Sequence, residues 1–212
     1  TVVKGIDNNH DIPVLNELHI EAGEALRSKI SSEKLSTDPK IASWREAYRM
    51  FGAKARDYPS SIESLCKRVI KGNEVIGINT LVDIYNYISI KHMLPLGGED
   101  LDKMDGDLQL TYAEDEIPVQ VLGKDSEEAP NDGEVIYKDN AGTICRRWNW
   151  REVERTVLTK DTKNCILVIE ALEVVSDAEL IEAQEELSQL VTKYCGGEAT
   201  NYIFDTNNSI AN

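Results

Sequence analysis

Residues Asp139–Arg151 read DNAGTICRRWNWR and place two tryptophans, an asparagine and three arginines directly behind a turn at residues 140–142. In an alternating strand, side chains two residues apart share a face. One face would carry Arg147, Asn149 and Arg151, and the other would carry Arg146, Trp148 and Trp150. The first face would offer guanidinium groups that match carboxylate or phosphate, and the second flat aromatic surface on which Arg146 could stack. The same residues also allow a plainer interpretation, with both tryptophans in the core and the arginines paired to acidic side chains.

The composition limits the classes of protein that fit this stretch. The chain has 212 residues and 41% hydrophobic content, enough for a core without disulfide or metal support. Its 23 basic and 38 acidic residues give a net charge of −15, which argues against sequence-independent nucleic-acid binding but allows a local basic patch. No segment approaches the ~20 apolar residues of a membrane span, and no signal peptide is visible. We therefore expect a cytoplasmic protein that makes no membrane contact.

The metal-ligating residue types are scattered along the chain. The cysteines are Cys66, Cys145, Cys165 and Cys195, with no C-x-x-C pair. The histidines are His10, His19 and His92. This spacing predicts buried, reduced cysteines, and we expect neither a metal site nor another cofactor.

Apolar spacing predicts a helical N-terminal part over about residues 13–72. Helices are expected at Pro13–Ser31, at Ile41–Phe51, after a capping box at Ser60 or Ser61, and from Ser176 or Asp177 to about Tyr194. Strands are expected at Thr1–Ile6, Leu108–Tyr112, Ile117–Leu122, Glu134–Lys138, Thr156–Thr159, Cys165–Leu172 and Tyr202–Phe204. We find no repeat or linker. The pattern predicts one compact α+β domain over residues 1–212, with mixed or antiparallel β-sheets flanked by helices.

Two stretches in the middle of the chain carry polar groups or glycines in apolar surroundings. Ile78–Met93 is apolar enough for a helix or a buried strand, and its length favours a helix. Asn79, Asp83 and Asn86 would share one face of it, where they could fix a loop or line a pocket. In Leu94–Asp100 the adjacent glycines either form a tight turn or allow a close approach of the backbone to another group.

Glu170 lies inside the apolar run CILVIEAL of the expected strand Cys165–Leu172. A carboxylate in such a run must find a partner, take up a proton or point out of the sheet. Glu170 is therefore a candidate functional residue.

Several stretches resemble one family in the same order. INTLVDIYNYISIKHMLPLGGEDLDKM, DTKNCILVIEAL and YCGGEATNYIFDTN resemble the "VDxTNYV…GQPxHAFD", "TxNVxLExA" and "CGGEA…IDI" segments of the β subunit of bacterial phenylalanyl-tRNA synthetase. These segments belong to its tRNA-editing domain, B3/B4, and the likeness covers about residues 61–207. WREAYRMFGAKARDYPSSIESLCKRVIKG and CRRWNWRE are similar to free-standing relatives of that domain.

The resemblance implies hydrolysis of the ester that joins a wrong amino acid to the tRNA 3′ end. It assigns Asn86 with Tyr87, Asp100 and Glu170 to matching family positions, with Glu170 orienting a substrate amino group or a water. Gly97 stands where the synthetase has a histidine, and His92 is no clear substitute. In the synthetase the wrong amino acid is tyrosine, and this specificity is not carried over to the present chain.

The chemistry of such a reaction suggests further roles. Backbone N–H groups around Gly97 and Gly98 could stabilise the oxyanion. The arginines of the opening stretch could hold the terminal phosphate while Trp148 or Trp150 stacks on the terminal adenine.

Three functions fit these residues. The first is a trans-acting deacylase of misacylated tRNA, whose partner is the tRNA 3′ end carrying an amino acid. The second is a non-catalytic tRNA- or synthetase-binding module with the same fold, which the missing histidine favours. The third is an amino-acid-binding protein, for which the acidic composition gives weak support.

Overall fold

The computed structural model describes residues 1–210, so the last two residues of the predicted domain lie outside the described part. The helices are α1 (Pro13–Lys29), α2 (Pro39–Met50), α3 (Ser61–Ile70), α4 (Thr80–His92) and α5 (Asp177–Cys195). The strands are β1 (Val2–Lys4), β2 (Leu96–Asp100), β3 (Gln109–Tyr112), β4 (Val119–Gln120), β5 (Glu127–Glu128), β6 (Val135–Asp139), β7 (Gly142–Arg146), β8 (Arg151–Glu152), β9 (Asn164–Ile169) and β10 (Glu198–Thr200). Short 3₁₀ turns lie at Leu35–Thr37 and Leu101–Lys103.

The strands form two four-stranded antiparallel sheets and a two-stranded ribbon. The first sheet has the order β10-β1-β9-β2, and the second has the order β3-β6-β7-β8. Strands β4 and β5 pair with each other. Helices and antiparallel sheets together confirm the predicted α+β class.

Helix α4 is the central helix of the core. Leu81, Ile84 and Ile88 are fully buried on it, and it contacts α1, α3, α5 and β2. A helix that is apolar on most sides is stable only when other elements cover it, which explains why this stretch resembled a buried strand in sequence. Its N-cap is Asn79, whose Oδ1 accepts the N–H of Val82 at 3.1 Å.

Side-chain caps fix the start of three further helices, as the sequence signals predicted for two of them. Ser60 accepts the N–H of Glu63 at the start of α3, and Ser176 accepts the N–H of Glu179 at the start of α5. Asp38 caps α2 by accepting the N–H of Lys40. Each such cap satisfies one of the free N–H groups that begin a helix.

The four cysteines are buried, and none forms a disulfide within residues 1–210. This confirms the prediction of buried, reduced thiols. In the same part of the chain, no helix combines the length and the apolar content that crossing a membrane requires.

Three strand predictions were wrong. The last strand is β10 (Glu198–Thr200) and not Tyr202–Phe204, because β10 is the segment that reaches the edge of β1. Thr156–Thr159 contributes only an isolated bridge between Val157 and Glu99. The alternating strand predicted through residues 146–151 stops at Arg146, and residues 147–150 form a turn between β7 and β8.

Candidate functional site

A cavity of about 270 Å³ lies between the two sheets, α3 and α4. Most of the residues predicted for the site line it: Asn86, Gly97, Gly98, Trp148, Asn149, Trp150, Arg151 and Glu170. Asp100, Arg146 and Arg147 are not among its lining residues. Segments far apart in the chain therefore meet at one place, while three of the candidates lie elsewhere.

Glu170 is held in the cavity wall by three donors. Tyr137 donates its hydroxyl at 2.7 Å to Oε1. The indole N–H of Trp148 donates to the same oxygen, and the side-chain amide of Asn149 donates to Oε2. Burial raises the pKa of Glu170 to about 7, against the lowering effect of these hydrogen bonds. A carboxyl group with this pKa exchanges protons near neutral pH.

Two of the three residues that bind Glu170, Trp148 and Asn149, belong to the Arg147–Trp150 turn. Arg147 and Trp148 both have left-handed backbone conformations, with φ of 48° and 64°. Two consecutive such residues are uncommon for non-glycine side chains and make a tight reversal between β7 and β8. The reversal, rather than strand alternation, decides which side chains of the stretch reach the cavity.

Arg146 is buried behind the cavity and bound to acidic side chains. Its guanidinium makes two hydrogen bonds of 2.9 Å with Glu134 and one of 3.1 Å with Glu128. Only 1% of its side chain is exposed. The prediction that Arg146 offers a free surface for phosphate or stacking was wrong, because the fork of the guanidinium is already matched by a carboxylate.

Arg147 is also enclosed. Its backbone N–H donates to Glu134 at 3.0 Å, and its guanidinium lies 3.8 Å from the ring centre of Tyr58 and 4.8 Å from that of Trp150. Burial lowers the pKa of this arginine, and Glu134 opposes the shift. For Arg146 and Arg147, the plainer interpretation of arginines paired to acids is the correct one.

The two tryptophans of the turn, Trp148 and Trp150, differ in the groups that they contact. Trp148 packs edge-on against Trp44, with ring centres 5.0 Å apart, and its N–H is used by Glu170. Trp150 is half-buried like Trp148, packs edge-on against Tyr58 and has the guanidinium groups of Arg147 and Arg151 4.8 and 5.2 Å from its ring centre. Both rings line the cavity, and the one whose N–H binds Glu170 is Trp148.

The glycine pair lies in strand β2 and not in a turn. A Cβ at Gly98 would lie 2.5 Å from Leu167 Cδ2 on the paired strand β9. A Cβ at Gly97 would lie 2.9 Å from Oε1 of Glu152. Of the two predicted alternatives, the close approach of the backbone is therefore the correct one. The backbone approaches a leucine at Gly98 and a carboxylate at Gly97.

Two other predicted residues act locally in the structure. Asp100 is buried outside the cavity, where it accepts the Thr162 hydroxyl at 2.7 Å and the Asp102 N–H at 3.1 Å. Asn86 lines the cavity and donates to the Val75 carbonyl at 3.2 Å. Asn86 therefore both fixes a neighbouring loop and lines a pocket.

Asn79, Asp83 and Asn86, which were predicted to share a helical face, make different contacts in the structure. Asn79 caps the helix, and Asp83 accepts the N–H groups of Gly77 and Ile78 at 2.9 and 3.2 Å. The loop before α4 is thus fixed by Asp83, as one of the two alternatives predicted.

The lining residues that the sequence did not predict include Arg68, Tyr85, Glu99, Tyr137 and Glu152. Arg68 is exposed near the end of α3 and also borders the cavity. Glu99 lies two residues from Gly97, so recognition of Leu96–Asp100 as a strand would have placed both on one face. Glu152 gives no sequence signal, because its position depends on the turn before it.

The two antiparallel sheets and the helices above them define an α+β domain built around an internal polar and aromatic cavity. The family model of the B3/4 domain matches residues 43–196, and the chain belongs to that family. The match starts before the resemblance over residues 61–207, because it includes most of α2, and it ends 11 residues earlier. No curated protein matched the chain. Membership relates the chain to the B3/4 module of the phenylalanyl-tRNA synthetase β subunit.

Proposed function

We propose that the protein is a trans-acting hydrolase of misacylated aminoacyl-tRNA, and that the aminoacyl ester enters the cavity lined by Glu170. The observation that carries the proposal is the meeting of Gly97, Gly98, Asn86 and Glu170 on one cavity in a B3/4 domain. The tRNA body would remain outside, because a space of about 270 Å³ suits an amino acid and not a nucleic-acid helix.

Glu170 has the properties needed to position a water molecule or an ammonium group. With a pKa of about 7, it is partly ionised at neutral pH and can accept a proton during attack on the ester carbonyl. Tyr137, Trp148 and Asn149 hold its orientation before the substrate arrives, which favours the transition state over the free reactants.

Backbone and cationic groups around the cavity supply the remaining chemistry. The N–H of Gly98 faces the cavity and is 3.4 Å from Oε1 of Glu152, a distance long for a hydrogen bond. Arg151 and Arg68 border the cavity and are the cations available for the terminal phosphate. Trp150 offers a ring for the terminal adenine.

The decisive experiment is the release of amino acids from a panel of mischarged tRNAs by the wild-type protein and by Glu170→Gln. General acid–base groups contribute about 10²- to 10⁴-fold, so we expect Glu170→Gln to lose at least about 100-fold in rate. Glu182→Gln, on the exposed side of α5, is the matched control and is expected to act like the wild type. Release by Glu170→Gln at the wild-type rate would falsify the assignment of Glu170.

A second candidate is an amino-acid-binding protein that uses the same cavity. The observation in its favour is that Glu134 already binds both Arg146 and Arg147, which leaves fewer cations for a phosphate. An electrophoretic shift with uncharged tRNA that disappears at raised salt would exclude this candidate, because phosphate contacts weaken steeply with ionic strength.

A further inference from the structure

Two carboxylates that the proposed hydrolysis does not use lie together in the cavity. Glu99 and Glu152, here called the acid pair, both line it. Gly97 and Glu99 share one face of β2, and a Cβ on that face at Gly97 would lie 2.9 Å from Glu152 Oε1. The side chain of Glu99 therefore extends toward the side of the strand where Glu152 lies.

The acid pair lacks the partners that buried carboxylates normally have. Glu99 is 5% exposed, and its Oε2 has no hydrogen-bond partner among residues 1–210. The carboxylate of Glu152 accepts only the long contact from the Gly98 N–H in that part of the chain. The nearby cation Arg155 is held by both oxygens of Asp139, at 2.9 and 2.7 Å. A buried carboxylate without a partner is costly, and either a bound proton or a bound cation removes that cost.

The electrostatic effects on neighbouring groups agree with this placement. Burial, followed by the charge of Glu152, raises the pKa of Glu99 well above its usual range. Burial raises the pKa of Tyr85 well above its usual range too, with added contributions from Glu152 and Glu99. The pKa of Cys145 is raised by burial and by the charges of Glu152, Glu99 and Glu170. Cys145 is thus close to all three carboxyl groups.

The second sheet sets the distance between the acid pair and Glu170. Tyr137, Cys145 and Glu152 are direct cross-strand neighbours on β6, β7 and β8. Because adjacent strands lie about 4.8 Å apart, the backbones at Tyr137 and Glu152 are about 10 Å apart. Tyr137 binds Glu170, so the cavity has one carboxylate site at each end of this row.

We propose that the acid pair binds the side-chain ammonium group of a diamino acid, while Glu170 serves the end of the ligand that carries the α-amino group and the ester. This inference rests on the proposed function, because it takes the role of Glu170 from there. A lysine-type side chain has a flexible four-carbon stem and a compact charge with three donors, which suits two converging carboxylates. No group of three or more His, Cys, Asp or Glu in residues 1–210 could hold a metal ion, which favours an organic cation.

The test is calorimetric titration at pH 8 with lysinamide and norleucinamide, two amino amides of similar shape that differ in the side-chain ammonium. We expect lysinamide to bind the wild-type protein at least about 10-fold more tightly, which corresponds to about 1.4 kcal/mol. The preference should fall to about 2-fold or less in Glu99→Gln/Glu152→Gln and persist in Glu182→Gln. Near-ultraviolet circular dichroism checks the fold, and Glu152→Gln alone replaces the double variant if that variant is unfolded.

Three results would overturn the proposal: no binding of lysinamide, equal binding of both amides, or a preference that survives the loss of the acid pair. The deacylation assay separates this inference from the proposed function. A lysinamide preference without release of any amino acid from tRNA would refute the hydrolase alone. Release of amino acids without the preference would refute the diamino-acid subsite alone.

Discussion

The substitution Arg146→Met tests whether this arginine supports the fold behind the cavity instead of binding RNA. Arg146 is fully buried and forms two 2.9 Å hydrogen bonds with Glu134, which is 4% exposed. Removal of one partner of a buried ion pair costs about 3–5 kcal/mol, because the remaining charge is left uncompensated. Glu134 would keep the N–H groups of Arg147 and Asn131, at 3.0 and 3.3 Å. We therefore expect a loss of about 3 kcal/mol in the free energy of unfolding, at the lower end of that range.

Urea unfolding at pH 7.5, followed by tryptophan fluorescence, measures this loss. The double variant Arg146→Met/Glu134→Gln is expected to recover about 1–2 kcal/mol, since glutamine keeps an acceptor for the Arg147 N–H and carries no charge. The control is Arg49→Met, which breaks an exposed pair with Glu46 and should leave the free energy of unfolding unchanged within the error of the measurement. A loss below about 1 kcal/mol for Arg146→Met, or a double variant no more stable than the single one, would refute the reasoning.

Three further predictions concern the cavity and the core. The rate of amino-acid release should rise with pH and level off above about 7, because burial raises the pKa of Glu170 to about 7 and only the ionised form accepts a proton; a flat profile between pH 5 and 9 would contradict this. Gly98→Ala should lower the free energy of unfolding by about 1–3 kcal/mol, because its Cβ would meet Leu167 at 2.5 Å, as urea titration would detect. Gly97→Ala, whose Cβ meets the movable side chain of Glu152, should cost less than Gly98→Ala; equal losses would contradict the assigned packing. All four cysteines should resist a thiol reagent at pH 8 in the native protein and react after denaturation, because all are buried and burial raises the pKa of each thiol; rapid labelling of the native protein would count against this core.

Local signals in the sequence predicted the elements that depend on local physics. The caps at Ser60 and Ser176 and the helix within the apolar stretch Ile78–Met93 each follow from residues inside the helix or next to its start. Glu170 could be selected as a candidate because a carboxylate inside an apolar strand is costly wherever that strand lies.

The parts that could not be predicted depend on distant pairings. Strand β2 depends on its pairing with β9, where a Cβ at Gly98 would meet Leu167, and nothing in the local sequence identifies that partner. The alternating pattern of residues 146–151 was misleading, because Arg147 and Trp148 adopt left-handed conformations that reverse the chain. Glu134 binds the guanidinium of Arg146 and the backbone N–H of Arg147. Because Glu134 lies 12 residues before Arg146, the sequence does not reveal this contact.

The hairpin that contains the Arg147–Trp150 turn is attached to the domain by some of its residues and lines the cavity with others. The residue before it and the N–H of Arg147 fasten it to Glu134, whereas Asn149, Trp150 and Arg151 form part of the cavity wall. Exchanges at Trp150 or Arg151 can therefore alter the ligand that fits without loosening the attachment of the hairpin. In a laboratory evolution experiment, these two positions are the natural place to redirect the selectivity of the domain.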